Sequence, residues 1–187
     1  MSQSRPVIHV ILASVREVRL GAAIADWVMT QARTQTGLSV ELVDLRDHPL
    51  PLFDEPHHPR SGKYTRETTK NWSAKVSEAD GFVFITPEYN HAYPASLKNA
   101  LDHLSAEWSG KPVGFVSYGG VAAGTRAVEA LLPVIACFEM KPIMQQVNIP
   151  FVGAAVVDGV FRAGDVQVQA AEAMFASLGK ALGAASD

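Results

Sequence analysis

Cysteine is almost missing from this chain: Cys137 is the only one in 187 residues, so no internal disulfide can form. It sits in the apolar run Val134-Ile135-Ala136-Cys137-Phe138 and reads as a buried, inert thiol. A strong charge of either sign is also missing. A net charge of −3 and a pI near 6.1 create no field that would gather nucleic acid or an anionic membrane, so the expected partner is a small molecule. Long apolar runs are absent too. Val7 to Ala13 is too short to span a bilayer and leads into Arg16, Glu17 and Arg19 without a cleavage pattern, which reads as a soluble cytoplasmic protein. Repeats, low-complexity stretches and linker-like shifts are not found, and 187 residues at 48% hydrophobic content fit one domain, 1–187.

Several chemical signatures are absent as well. Gly110-Lys111 lacks the upstream glycine and following hydroxyl of a P-loop, and Gly119-Gly120-Val121-Ala122-Ala123-Gly124 lacks the dinucleotide spacing. Ala13 and Ser14 stand where a phosphoacceptor receiver domain needs metal-binding acids. His57 and His58 are adjacent, without ligand spacing, and read as solvated, so no metal is expected. His91 and His103 read as structural, no Ser-His-Asp order is legible, and no catalytic acid, base or nucleophile is assigned.

What is present is alternation. Strands are predicted at Val7–Leu12, Leu38–Asp44, Gly81–Ile85, Lys111–Ser117 and Pro142–Val147. Helices are predicted at Leu20–Val28, Lys63–Glu78 (Trp72, Ala74, Val76 and Ala79 inward), Tyr93–Leu104, Val121–Phe138 with a bend at Pro133, and Val166–Leu182. The last carries a stripe of Val166, Ala170, Ala173, Met174, Leu178, Ala181 and Leu182. The Pro-, His- and Asp-rich connection from Leu45 to Ser61 reads as loop, free to move, and Phe151 to Gly164 as a second long connection. Five alternations without consecutive hairpins predict an α/β sandwich, helices on both faces of a five-stranded parallel sheet, with the flavodoxin-like strand count.

Ligands of such sheets bind where strands end, so three loops matter. The first, Ala13 to Gly21, brings Ser14, Arg16 and Arg19 to a helix N-terminus, a setting for phosphate. Loop arginines are ordinarily solvated, and position after the first strand is what favours the anion reading. The second, Thr86-Pro87-Glu88-Tyr89-Asn90, offers backbone N–H and C=O groups stiffened by proline, plus an aromatic ring, which suits a heteroaromatic edge. The third, Ser117-Tyr118-Gly119-Gly120, adds close backbone approach and two hydroxyls.

Taken with Pro94-Ala95-Ser96-Leu97-Lys98-Asn99-Ala100-Leu101-Asp102, these three motifs resemble the NAD(P)H-dependent FMN reductase family from the first strand to about Phe138. Ala13, where that family usually has glycine, is a departure. The resemblance implies a flavodoxin-like fold, FMN as cofactor and NAD(P)H as co-substrate. It places the FMN phosphate on Ser14, Arg16 and Arg19, the ring along Pro87, Glu88, Tyr89 and Asn90, and the pyrimidine side on Ser117, Tyr118, Gly119 and Gly120. The acceptor it implies is a flavin, quinone, azo compound or chromate. A flavodoxin-type carrier without nicotinamide turnover is the alternative, and a flavin-free scaffold a third reading. Tyr89, His91, Tyr93 and Trp108 have no evident internal place in the pattern, which, with the resemblance, predicts a homodimer or dimer of dimers built on Tyr89 to Trp108.

Overall fold

The computed structural model describes residues 5–35 and 37–184. Five strands, β1 (Val7–Leu12), β2 (Ser39–Asp44), β3 (Gly81–Pro87), β4 (Pro112–Tyr118) and β5 (Lys141–Ile149), pair in parallel in the order β2-β1-β3-β4-β5. That is the flavodoxin-like order, whose switch point falls between β1 and β3. β3 and β4 are buried at every residue, as expected for central strands covered on both faces.

Among the described residues six α-helices accompany the strands, with a 3-10 turn at Pro59–Ser61: α1 (Gly21–Ala32), α2 (Glu67–Ser77), α3 (Ala95–Asp102), α4 (Thr125–Ala136), a single turn α5 (Val152–Ala155) and α6 (Asp165–Ala181). Ile24 and Val28 of α1 and Met174 and Phe175 of α6 close one face of the sheet. Trp72 and Val76 of α2, Leu97 and Leu101 of α3, and Leu131 and Ile135 of α4 close the other. Among the described residues no helix is long and apolar enough to cross a membrane.

Some expectations are corrected. Cys137 is exposed, not buried: it follows the last turn of α4 on the outer side, its thiol 3.4 Å from the Pro133 carbonyl. Trp108 is not a spare surface aromatic. It is 1% exposed and wedged against Phe82 and Trp72, with ring centroids 4.9 and 6.1 Å away, while Tyr93 is half-buried on the same core. The stripe of α6 runs through Ala171, Met174, Phe175 and Leu178; Phe175, outside the expected stripe, is fully buried, while Val166 in the first turn is 75% exposed. Ala74 faces outward on α2. Phe151 to Gly164 is not bare loop: it holds α5 and an antiparallel hairpin of β6 (Val156–Val157) and β7 (Val160–Phe161), turned by Asp158 and Gly159 at φ 50° and 75°. Both positive values suit a type I′ turn.

Candidate functional site

The turn after β1 is built from inside outward. Ala13 N–H donates to the Ile85 carbonyl at 3.0 Å and Ser96 Oγ to the Ala13 carbonyl at 2.5 Å, tying the turn to β3 and α3. Ser14 is 1% exposed, its Oγ 2.9 Å from Tyr89 Oη, so the first and second loops share a hydrogen bond. Arg19 folds back: Nη1 donates to the Ser14 carbonyl at 2.6 Å and to Asp44 Oδ1 at 2.8 Å, and Nη2 pairs with Asp44 Oδ2. Burial pushes the Asp44 carboxyl up, but hydrogen bonds from Arg19 and the Arg46 N–H, with both arginine charges, outweigh it and hold it below its ordinary value. Only Arg19 Nε is left, buried and without a partner. Arg16 extends into solvent with its guanidinium uncommitted among the described residues.

The second loop leaves β3 at Pro87. Glu88 N–H donates to the Tyr118 carbonyl at 3.1 Å, and Tyr89 and Ala92 exchange backbone hydrogen bonds of 2.8 and 3.0 Å around Asn90 and His91. Those two residues sit at φ 49° and 67°, a left-handed pair that asparagine tolerates better than histidine. Arg126 of α4 holds Glu88 Oε1 through Nε at 2.6 Å, which leaves the buried Oε2 without a partner.

The third loop begins with Ser117, fully buried, its Oγ 2.9 Å from both the Ala123 carbonyl and Asn148 Oδ1. Its hydroxyl is thus spent inside the protein. Tyr118 is 5% exposed, and its phenol lies under the start of α1: a Cβ on Gly21 would stand 2.5 Å from Tyr118 Oη. Burial, and after it the neighbouring Tyr89, push the Tyr118 phenol upward, so it remains a neutral donor. Gly124, at φ 81°, lets the loop double back where a Cβ would meet Tyr118 N at 2.6 Å. The carbonyls of Gly119 and Gly120 accept from Val152 and Phe151 N–H, each at 3.0 Å.

The three loops converge on a cavity of about 160 Å³. Ser14, Arg16 and Arg19 enter it from the first loop, Pro87, Glu88 and Tyr89 from the second, and Tyr118 and Gly119 from the third, with Val18, Leu20 and Val152 completing the wall. Asn90, Ser117 and Gly120 lie beside it without lining it. Larger hollows of about 460 and 710 Å³ lie against the 45–60 connection and are lined by none of these groups. Reasoning from the sequence missed Asp44, Arg126 and Val152. Asp44 was reachable, because the strand order places it opposite Leu12, just before the first turn; Arg126 and Val152 carried no local signal.

Residues 6–154 match the family model described as NADPH-dependent FMN reductase. The chain belongs to that family. An NAD(P)H-dependent FMN reductase of Schizosaccharomyces pombe is 48% identical over 149 residues, 78% of this chain and 74% of its own. A quinone reductase of Pseudomonas putida is 30% identical over 154 residues, 79% and 78% of the two chains. The solved structure of FerB, a flavoenzyme NAD(P)H:(acceptor) oxidoreductase from Paracoccus denitrificans, covers 96% of this chain and 98% of its own with a TM-score of 0.74 at 20% identity, a likeness of fold. Membership makes the chain an NAD(P)H-dependent oxidoreductase with FMN as cofactor.

Proposed function

We propose that this FMN reductase passes electrons from NAD(P)H to a small oxidised acceptor, a free flavin, quinone, azo compound or chromate, and that residues 1–187 act as one FMN-binding domain. The observation that carries the reading is the convergence of the three loops on one cavity lined by Arg16, Arg19, Glu88 and Tyr89, with the exposed guanidinium of Arg16 at its phosphate end. A phosphate monoester suits the first end: two guanidinium donors and the free N–H groups that open α1. A ring N–H suits the Glu88 end at the other.

When bound, FMN supplies the redox chemistry, taking a hydride from a nicotinamide and returning two electrons to an acceptor. The chain's own share is positioning. Asp44 and Arg19 set the turn that presents Arg16, Pro87 to Asn90 offer a stiff edge, and Tyr118 and Gly119 form the floor. Asn90, Ser117 and Gly120 act by shaping loops. The relative named quinone reductase supports that acceptor class.

A homodimer or dimer of dimers belongs to the same proposal. About 160 Å³ is well below the ~300–1,000 Å³ of pockets that enclose a cofactor-sized ligand, so a second subunit is the natural source of the missing wall. With Trp108 and Tyr93 in the core, Tyr89 and His91 remain for that contact, alongside Leu132 of α4, which is 36% exposed.

The purified protein tests this directly. Its oxidised-flavin absorbance should bleach under anaerobic NADPH or NADH, and double-reciprocal plots with a quinone should be parallel. Intersecting lines would remove the alternating use of one ring face, and flavin binding without NAD(P)H oxidation would point to an electron carrier. A fully active 20.1 kDa species in light scattering would remove the shared wall.

A further inference from the structure

The first strand carries a buried imidazole that no group hydrogen-bonds. His9 is 1% exposed, and neither ring nitrogen has a partner among the described residues. Its Nε2 faces two carboxylates, Glu41 Oε2 at 3.6 Å and Glu78 Oε2 at 3.9 Å, both beyond hydrogen-bond length. Glu41 is the direct neighbour of His9 across the β1–β2 pairing, and Glu78 follows the last turn of α2. One nitrogen and two carboxylate oxygens, all within 4.8 Å of one another, therefore come from three different elements. Lys75 already acts as a cation there, its Nζ 2.6 Å from Glu41 Oε1 and 2.7 Å from Glu78 Oε2.

We infer that His9, Glu41 and Glu78 form a binding site for a divalent transition metal, Zn²⁺, which enters in exchange for the Lys75 ammonium. Zinc takes imidazole nitrogen and carboxylate oxygen at ~2.0–2.2 Å, so two ligands of a tetrahedral ion stand ~3.4 Å apart, and small side-chain rotations close the observed spacing. Water completes the tetrahedron. The imidazole favours zinc over magnesium or calcium, which prefer all-oxygen shells. With neither ring nitrogen hydrogen-bonded among the described residues, the imidazole has a lone pair to offer a metal. Lys75 sits on a flexible stem and is 21% exposed, which gives its ammonium a path to solvent. The site lies five residues before Ser14, about 16 Å of extended chain at ~3.3 Å per residue, so it is apart from the flavin cavity. Its metal would tie β1 and β2 to α2.

The full chain, treated with EDTA and dialysed free of it, is titrated with Co²⁺ at pH 7 and then with Zn²⁺. One equivalent of Co²⁺ should give visible d–d absorption that Zn²⁺ abolishes. His9→Gln should weaken binding at least about tenfold, Lys75→Met should tighten it, and the double variant His57→Ala, His58→Ala should bind like the wild type. Glu41→Gln, on an exposed side chain, stands in should His9→Gln fail to fold. Absence of saturable Co²⁺ binding, unchanged binding in His9→Gln or Glu41→Gln, or loss of binding in the His57, His58 double variant would each overturn the site.

Discussion

Two connections leave neighbouring strands on the same edge of the sheet and behave in opposite ways. The turn from Ala13 to Leu20 is short, yet Val15 and Val18 are 46% and 82% exposed and Arg16 pairs with nothing among the described residues. The connection from Leu45 to Arg66 is more than twice as long, and it is anchored at Leu50 to Phe53 and again at Glu55. Asn99 Oδ1 accepts from Phe53 N–H at 3.0 Å, and Asn99 Nδ2 donates to the Pro51 carbonyl at 2.8 Å. His103 Nε2 donates to that same carbonyl at 3.0 Å, which leaves Nδ1 to accept from Thr69 Oγ1, also at 3.0 Å. Openness to a ligand is therefore decided by which polar groups are already spent, and length is a poor guide to it. The short turn spends Ser14 and Arg19 inside to hold Arg16 outside. The long connection spends its carbonyls on α3.

Arg19→Ala should break the contrast most severely, because it removes the inner support of the open turn. Arg19 is 9% exposed and its partner Asp44 17%, and loss of the guanidinium strands a partly buried carboxylate. A destabilisation of roughly 3 kcal/mol is expected, together with loss of FMN binding. Arg19→Lys should rescue little, since an ammonium cannot span both carboxylate oxygens and the Ser14 carbonyl. The double variant Arg19→Ala, Asp44→Ala should recover part of the stability and none of the FMN affinity. Thermal melts alongside flavin-fluorescence titrations check this; normal FMN affinity in Arg19→Ala would mean that the turn does not depend on its inner ion pair.

Glu55→Ala attacks the anchored connection instead. Glu55 accepts from Thr65 N–H at 2.8 Å, Thr65 Oγ1 at 2.7 Å and Arg66 N–H at 2.9 Å, closing the connection just before α2. About 2 kcal/mol should be lost, with FMN affinity unchanged. Burial pushes this carboxyl up, but the donors from Thr65 and Arg66 bring it from 4.5 down to about 2. A depressed folded value means that its contribution is complete above about pH 4.5 and is lost as the pH falls toward 2. The wild type should show that acid-side slope in urea midpoints and Glu55→Gln should not; equal slopes would remove Glu55 as the anchor.

Much of this contrast could be read before any coordinates, and the part that could not has physical causes. Strand positions came from runs such as Gly81-Phe82-Val83-Phe84-Ile85, in which burial on both faces leaves no room for polar residues. The first and second loops were legible because their residue types are unusual together. The anchoring of 45–66 was not, because Asn99 and His103 lie 46 and 52 residues from the groups they hold, and no local pattern encodes such pairs. Trp108 was misplaced for a related reason: it follows α3 after a short break, so helical periodicity does not apply to it, and its neighbours Phe82 and Trp72 come from other elements. The Asp158-Gly159 hairpin was legible in principle, its strands being only two residues each.

Arg16→Ala should affect the ligand and nothing else. Its side chain is exposed and spends no donor on the fold among the described residues, so the melting temperature should stay within error while FMN binding weakens by ~1.5–3 kcal/mol, the range for a charge-assisted hydrogen bond. Riboflavin, which lacks the phosphate, should bind wild type and variant alike. A drop in riboflavin affinity would show that Arg16 acts on the ring end, and the assignment of the turn to phosphate would have to change.

Asn99→Ala is the mildest break and the most local. It removes the bonds to Phe53 N–H and the Pro51 carbonyl and the longer 3.4 Å contact to the Leu50 carbonyl, yet His103 still donates to Pro51 at 3.0 Å. The connection therefore keeps one clamp of two, and a global loss of only about 1 kcal/mol is expected. The sharper effect is on local opening, because the Phe53 amide loses its acceptor. Hydrogen exchange should accelerate at Phe53 without acceleration at Ala13, whose N–H is held by the Ile85 carbonyl under the other turn. FMN affinity should not move. Faster exchange at both positions would show that the two connections open together, and the division of this sheet edge into an open turn and an anchored one would then fail.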